Sequence, residues 1–121
     1  MIVGLGLELV EVARFGRVEM RFGPRLAARL FTDAERAAAR RLESRAGRFA
    51  LKAAALRALG LPPARWRDVE VVRARRRAPE LRLHGSVEAR ARALGVGSSA
   101  VSLSHDGGFC VGQVILESGS P

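Results

Sequence analysis

From Ile2 to Val10, apolar side chains alternate with Gly4, Gly6 and Glu8. That is the period of a strand, and its two glycines mark close approaches of other backbone. Alternation puts Val3, Leu5, Leu7 and Leu9 on one face and Glu8 on the other, beside Gly6 and Val10. Beyond Arg14 the period changes. Phe15, Val18, Phe22, Leu26 and Leu30 form a helical stripe, broken at Gly23-Pro24. Thr32 and Glu35 have the spacing of a capping box, so a new helix starts there. It breaks near Ser44 and continues through "RFALKAAALRALG" to Gly60, a C-terminal cap followed by Leu61-Pro62-Pro63.

The second half reads mainly as strands. "DVEVVRARR" from Asp68 and "ELRLHG" from Glu80 pair across a turn near Arg77-Ala78-Pro79. Ser86 caps a short helix that Gly95 stops, and "AVSLSHDGGFCVGQVILE" folds as a hairpin at Asp106-Gly107-Gly108. The order of elements predicts an α+β fold with an antiparallel sheet packed against helices. The 121 residues, 48% of them hydrophobic, fit one domain spanning residues 1–121 with a single core.

Charge narrows the partners. The chain carries +9 at neutral pH, and every cation but Lys52 is an arginine. Such a surface attracts polyanions: nucleic acid, phosphorylated small molecules, anionic membranes or acidic proteins. Arg14, Arg17, Arg21, Arg25 and Arg29 recur every three or four residues, a basic face suited to an acidic helix of a partner protein or simply to solvent. Cys110 is the sole cysteine, which rules out an intrachain disulfide and fits a reducing compartment. The apolar start is too short to span a bilayer and has no basic leader, so a soluble, cytoplasmic protein without membrane contact is expected.

Three motifs carry less than their letters suggest. "SLSHD" holds the residue types of a hydrolase triad, but on a strand Ser104 and Asp106 face away from His105. "GLGLE" lies within a strand rather than between strand and helix, which excludes a dinucleotide loop. The run "RARRR", Arg73 to Arg77, has the charge for nucleic acid but no aromatic platform beside it.

Six ordered segments, "MIVGLGLELVEVARF", "RLFTDAE", "AGRFALKAAALRALG", "WRDVEVV", "APELRLHG" and "VSLSHD" with "VILE", resemble the holo-[acyl-carrier-protein] synthases. These are the small trimeric branch of the 4′-phosphopantetheinyl transferases, and the resemblance runs from Met1 to about Glu117. It implies transfer of the phosphopantetheine arm of coenzyme A to a serine of an acyl or peptidyl carrier protein, releasing adenosine 3′,5′-bisphosphate. It also implies an α+β phosphopantetheinyl transferase-like fold, active sites at the interfaces of a homotrimer, and magnesium between the pyrophosphate and acidic side chains. Carried over by position, Glu8 is the metal ligand, and Glu8, Lys52 and His105 are catalytic. Arg48, Lys52, Arg57 and His105 line the coenzyme A site, while Arg14, Arg21 and Arg25 dock the acidic carrier protein. Phosphoryl transfer needs mainly positioning and charge neutralisation, which this set of cations supplies. Arg48 and Lys52, four residues apart, project from one helical side.

The chain departs from the family pattern at the site itself. Glu8 stands for the usual aspartate, Ala53 for a metal-ligand glutamate, and Arg57 for a lysine. "GLPPA" replaces a glycine-rich stretch, with Pro62 and Pro63 removing flexibility and donors. Alanine can neither coordinate a metal nor relay a proton. Three readings therefore stand side by side: a transferase holding magnesium through Glu8; a catalytically impaired homologue that binds coenzyme A or a carrier protein as a structural module, alone or within a larger synthase system; and, least favoured, a basic surface turned to nucleic acid.

Overall fold

The computed structural model of the chain describes residues 1–73 and 77–119. Strand β1 (Ile2–Glu11) leads into helices α1 (Val12–Phe22), α2 (Pro24–Leu30), α3 (Asp33–Ala38) and α4 (Leu42–Ala58). A 3-10 turn (Trp66–Asp68) precedes β2 (Val69–Val72) and β3 (Glu80–Leu83); α5 (Gly85–Ala93), β4 (Val96–Asp106) and β5 (Phe109–Ser118) complete the chain. An antiparallel sheet in the order β1-β5-β4 packs on α4, and β2 pairs with β3 in a separate antiparallel ribbon. The expected α+β architecture is the one observed.

Local signals act as their chemistry predicts. Thr32 Oγ1 accepts from Glu35 N at 3.1 Å while Glu35 Oε1 accepts from Thr32 N at 2.9 Å, a complete capping box. At the end of α4, Gly60 N donates to Arg57 O and Leu61 N to Leu56 O, with Gly60 at φ +68. That double bond pattern is a Schellman motif, and its left-handed residue favours glycine. Gly107 and Gly108, both at positive φ, close the β4-β5 hairpin. Its turn is tied to the start of α1 by Val12 N donating to Gly108 O at 2.9 Å.

Two helix boundaries differ from expectation, and β2 begins after Asp68 and ends at Val72, short of the strand expected from Asp68 through the basic run. The break before α4 falls at residues 39–41 rather than at Ser44. Arg45 holds it there, donating to Arg40 O at 2.7 Å while its fork grips Glu19 at 2.6 and 3.0 Å. Ser44 is inside the helix, its hydroxyl accepting from Arg48. Helix α5 is preceded by His84 rather than capped by Ser86, whose hydroxyl lies 3.4 Å from Asp68 Oδ2. Of the basic run at residues 73–77, Ala74, Arg75 and Arg76 lie outside the described residues.

Helix α4 is the centre of the fold. From Ala46 to Ala58 only Phe49 and Arg57 are not buried. Its alanines leave a smooth surface onto which the sheet settles closely. A Cβ at Gly6 would come within 1.7 Å of Ala54 O, one at Gly4 within 2.1 Å of Ala58 O, and one at Gly112 within 2.7 Å of Ala50 C. The glycines expected at close approaches are therefore obligatory contacts of sheet on helix. One core cluster joins Leu51, Leu56 and Leu59 of the helix region to Val69, Val87, Val114 and Leu116; a second gathers Val10, Phe15, Leu30, Phe31 and Cys110. The opposite face of β1 stays open, with Leu5, Leu7 and Leu9 at 61%, 56% and 60% exposure.

Candidate active site

Because Gly4 and Gly6 clamp β1 to α4, Glu8 comes to rest beside the last two turns of that helix. Its Oε2 lies 2.8 Å from Arg57 Nε. Ala53, one turn before Arg57, lines the same cleft of about 340 Å³, whose walls are Phe49, Leu56, Pro63 and Trp66. Phe49 stacks between Phe15 and Trp66 at centroid distances of 5.3 and 5.1 Å, which fixes that wall. Glu8 also borders a groove of about 560 Å³ that reaches Arg14. Arg14, Arg21 and Arg25, expected from the sequence to dock a carrier, are all exposed, and they belong to two helices, α1 and α2.

A second cleft, of about 330 Å³, lies on the other flank of α4. Arg48, Ser44 and His105 line it with Arg41 and Arg73. His105 sits opposite Cys110 in the sheet and reaches over Gly47, where a Cβ would come 3.3 Å from its Cε1. Arg48 is 9% exposed and donates from one terminal nitrogen to Ser44 Oγ at 2.6 Å, yet its buried Nε has no partner among the described residues. Burial holds the guanidinium below its ordinary value, the charge of Glu35 pulling upward and that of Arg73 adding to the fall. A buried, partly unsatisfied cation at the rim of a basic cleft is built to receive an anion.

Lys52, expected at the same ligand, is instead enclosed. Its side chain has no solvent exposure; the ammonium pairs with Glu35 and lies 5.3 Å from the Phe31 ring centroid. Burial pushes it below the usual lysine range, opposed by its hydrogen bond to Glu35. Glu35 is equally buried, and its Oε2 accepts from Val71 N at 3.0 Å. Lys52 thus joins α3, α4 and β2 through one carboxylate rather than facing either cleft. Local spacing shows Glu35 only as half of a capping box, because its long-range partners leave no trace in it. Ser44 likewise escapes a reading by motif, although its place four residues before Arg48 is a signal of their contact.

A polar chain continues outward from this pair. Thr32 Oγ1 donates to Glu70 Oε2 at 2.9 Å, and His84 Nε2 lies 3.1 Å from Glu70 Oε1. Burial alone would raise the Glu70 carboxyl, but the hydrogen bonds from His84 and Thr32, with the charges of His84 and Arg82, hold it below the usual range. A carboxyl depressed on folding adds stability above its unfolded value, and that stability is lost as pH falls through the folded one. Glu70→Gln is accordingly expected to flatten the fall in urea midpoint below about pH 4; a midpoint that drops as steeply as in the parent would count against this.

No family model matches the chain. The chain is 46% identical over 118 residues to the holo-[acyl-carrier-protein] synthase of Frankia alni, spanning 97% of this chain and 98% of that one. The chain belongs to the holo-[acyl-carrier-protein] synthases. Its fold agrees with the Helicobacter pylori holo-[acyl-carrier-protein] synthase in complex with coenzyme A (TM-score 0.81, 26% identity, 93% and 99% of the two chains). It also agrees with the Bacillus anthracis holo-(acyl-carrier-protein) synthase in complex with CoA (3′,5′-ADP) (TM-score 0.78, 30% identity, 98% and 99%). The chain is thus a member of a phosphopantetheinyl transferase family. No helix among the described residues is long and apolar enough to cross a membrane.

The donor set of this chain bears directly on the metal implied by that family. At the expected site stand one carboxylate, Glu8, and the methyl group of Ala53. The carboxylate already faces a guanidinium at 2.8 Å, and among the described residues no group of three His, Cys, Asp or Glu side chains could hold an ion. Magnesium sheds water reluctantly and requires near-octahedral oxygen ligands. One or two carboxylates with phosphate and water oxygens usually suffice for it, so what does not fit here is that the single carboxylate of this cleft is already paired with a guanidinium.

Proposed function

We propose that this chain transfers the 4′-phosphopantetheine arm of coenzyme A to a serine of an apo acyl or peptidyl carrier protein. The observation that carries the reading is Arg48, a buried cation whose Nε has no partner among the described residues, in a cleft shared with Ser44 and His105. In the reaction the serine oxygen bonds to the phosphorus that bears pantetheine. The bond from that phosphorus to the bridging oxygen breaks, and adenosine 3′,5′-bisphosphate leaves with the electron pair while the serine proton passes to solvent. The chain's part is to hold the anionic donor and neutralise charge that grows on the leaving group. Arg48, with Arg41 and Arg73 around it, supplies that charge in the His105 cleft, and Arg57 supplies it beside Glu8.

The direct test is incubation with coenzyme A and several apo carrier proteins, followed by intact mass. The expected result is the added mass of phosphopantetheine on the carrier; its absence with every carrier would overturn the reading. Arg48→Met is expected to weaken coenzyme A binding, read by calorimetry, by about ten- to a hundredfold, the worth of one charge-assisted contact. Exposed Arg14, Arg21 and Arg25 are the proposed dock for an acidic carrier helix, so carrier affinity should fall with salt.

We further read the working unit as a homotrimer. Two observations support this. The Leu5-Leu7-Leu9 face of β1 is apolar and uncovered. The single chain also leaves Glu8 with Arg57 and Arg48 with His105 in separate clefts, as expected if the site is completed between copies. Leu7→Glu would place a charge in that apolar strip. Light scattering is then expected to report 13.0 kDa, the mass of one chain, in place of about three times that value. A parent protein that is itself monomeric would remove the proposal.

Ala53 favours a second reading, in which donor and carrier are bound but transfer is feeble. Tight coenzyme A binding without any mass addition would select it.

A further inference from the structure

We propose that in this chain the Arg57 guanidinium, anchored on Glu8 above Ala53, takes the place of a divalent cation as the charge that neutralises the donor's pyrophosphate. The inference rests on the transferase reading above and deepens it.

Three features converge. First, the anchor is rigid. Glu8 belongs to a strand whose glycines touch α4 backbone, which seats its backbone beside the helix and its carboxylate 2.8 Å from Arg57 Nε. Second, the pairing leaves the cation able to act. Glu8 engages the Nε edge of Arg57, and the side chain remains 65% exposed, so both terminal nitrogens stay available to a phosphate. Arginine's planar fork suits phosphate oxygens and keeps its charge at every physiological pH. Third, the site has lost what a metal requires while keeping what a guanidinium requires. Ala53, four residues before Arg57 on α4, presents a methyl group to the cleft, and Phe49, Leu56 and Trp66 give it apolar walls. An arriving dication would have to displace the guanidinium from the one carboxylate present.

Calorimetry of coenzyme A binding, run in EDTA and again in millimolar magnesium, tests this on the intact protein. For the parent chain the two affinities are expected to agree within about twofold. Arg57→Ala should weaken binding in EDTA by about tenfold or more, as expected for the loss of a charge-assisted contact. Ala53→Glu with Arg57→Ala should restore a metal requirement, with affinity rising at least about tenfold on adding magnesium. Because a glutamate at position 53 enters a buried surface, a second measurement keeps the test independent of that variant. Electron paramagnetic titration of manganese into the parent protein with coenzyme A should show no more bound ion than the same concentration of coenzyme A alone.

A parent affinity that rises tenfold with magnesium, or manganese bound beyond the level of coenzyme A alone, would overturn the proposal while leaving transfer itself intact. An Arg57→Ala protein that binds as the parent does would overturn it too. Metal-independent donor binding with no carrier ever modified would instead defeat the transferase reading and leave Arg57 as the donor's cation. Carrier modification at equal rates in EDTA and magnesium supports both.

Discussion

Lys52→Met is expected to lower the free energy of unfolding by about 3–5 kcal/mol, the cost of leaving one member of a buried ion pair without the other. The pair has no compensation from solvent, since Lys52 and Glu35 are 0% and 1% exposed. Without the ammonium, the Glu35 carboxylate keeps Val71 N and Thr32 N as donors but loses its counter-charge. It must then either stay ionised in an apolar site or take up a proton. Both routes loosen the contact of α3 and β2 with α4. The double variant Lys52→Met/Glu35→Gln removes both charges and should recover a substantial part of the loss. Urea denaturation of the parent, the single variant and the double variant measures this. A single variant within about 1 kcal/mol of the parent would show that the pair does not hold these elements together.

The second large effect is at Gly6. Alanine there would set a Cβ 1.7 Å from Ala54 O and 2.9 Å from Ala58 N, both of them backbone atoms of the central helix. No rotamer change relieves such a clash, so β1 must lift from α4. Overpacking of this kind costs about 3 kcal/mol or more. Function should fail with stability, because Glu8 is two residues along the same strand and depends on this seating to reach Arg57. Gly6→Ala is expected to lower the melting temperature by roughly 10 °C or more and to weaken coenzyme A binding together with it. Gly95→Ala makes the comparison: Gly95 has positive φ, but a Cβ there would meet nothing within 4 Å, so only local strain applies. Equal effects at the two glycines would refute the packing argument.

These two positions also mark how far the sequence can be read. Thr32 with Glu35, Gly60 before two prolines, and Asp106-Gly107-Gly108 each produce the cap, stop or turn that their local chemistry requires. Such signals act over a few residues, so spacing alone reveals them. The glycines of β1 announce a close approach without naming what approaches. The candidate site is legible in part: Arg48 and His105 do share a cleft, and Glu8, Ala53 and Arg57 share another. Lys52 is not legible. A lone lysine on an alanine-rich helix reads alike whether it faces a ligand or an acid, and its acid lies 17 residues earlier on a different helix.

The sequence by itself determined the order of elements, the capped ends of α3 and α4, the tight β4-β5 hairpin, the basic surface and the family. Tertiary structure alone decided which face of β1 is covered. Period-two alternation separates Leu5, Leu7 and Leu9 from Gly6, Glu8 and Val10 but is silent on which set meets the core. The helix took the glycine face because only there can two backbones come into contact. The leucines were thereby left outward, and Glu8 was pressed against Arg57 beside the methyl group of Ala53.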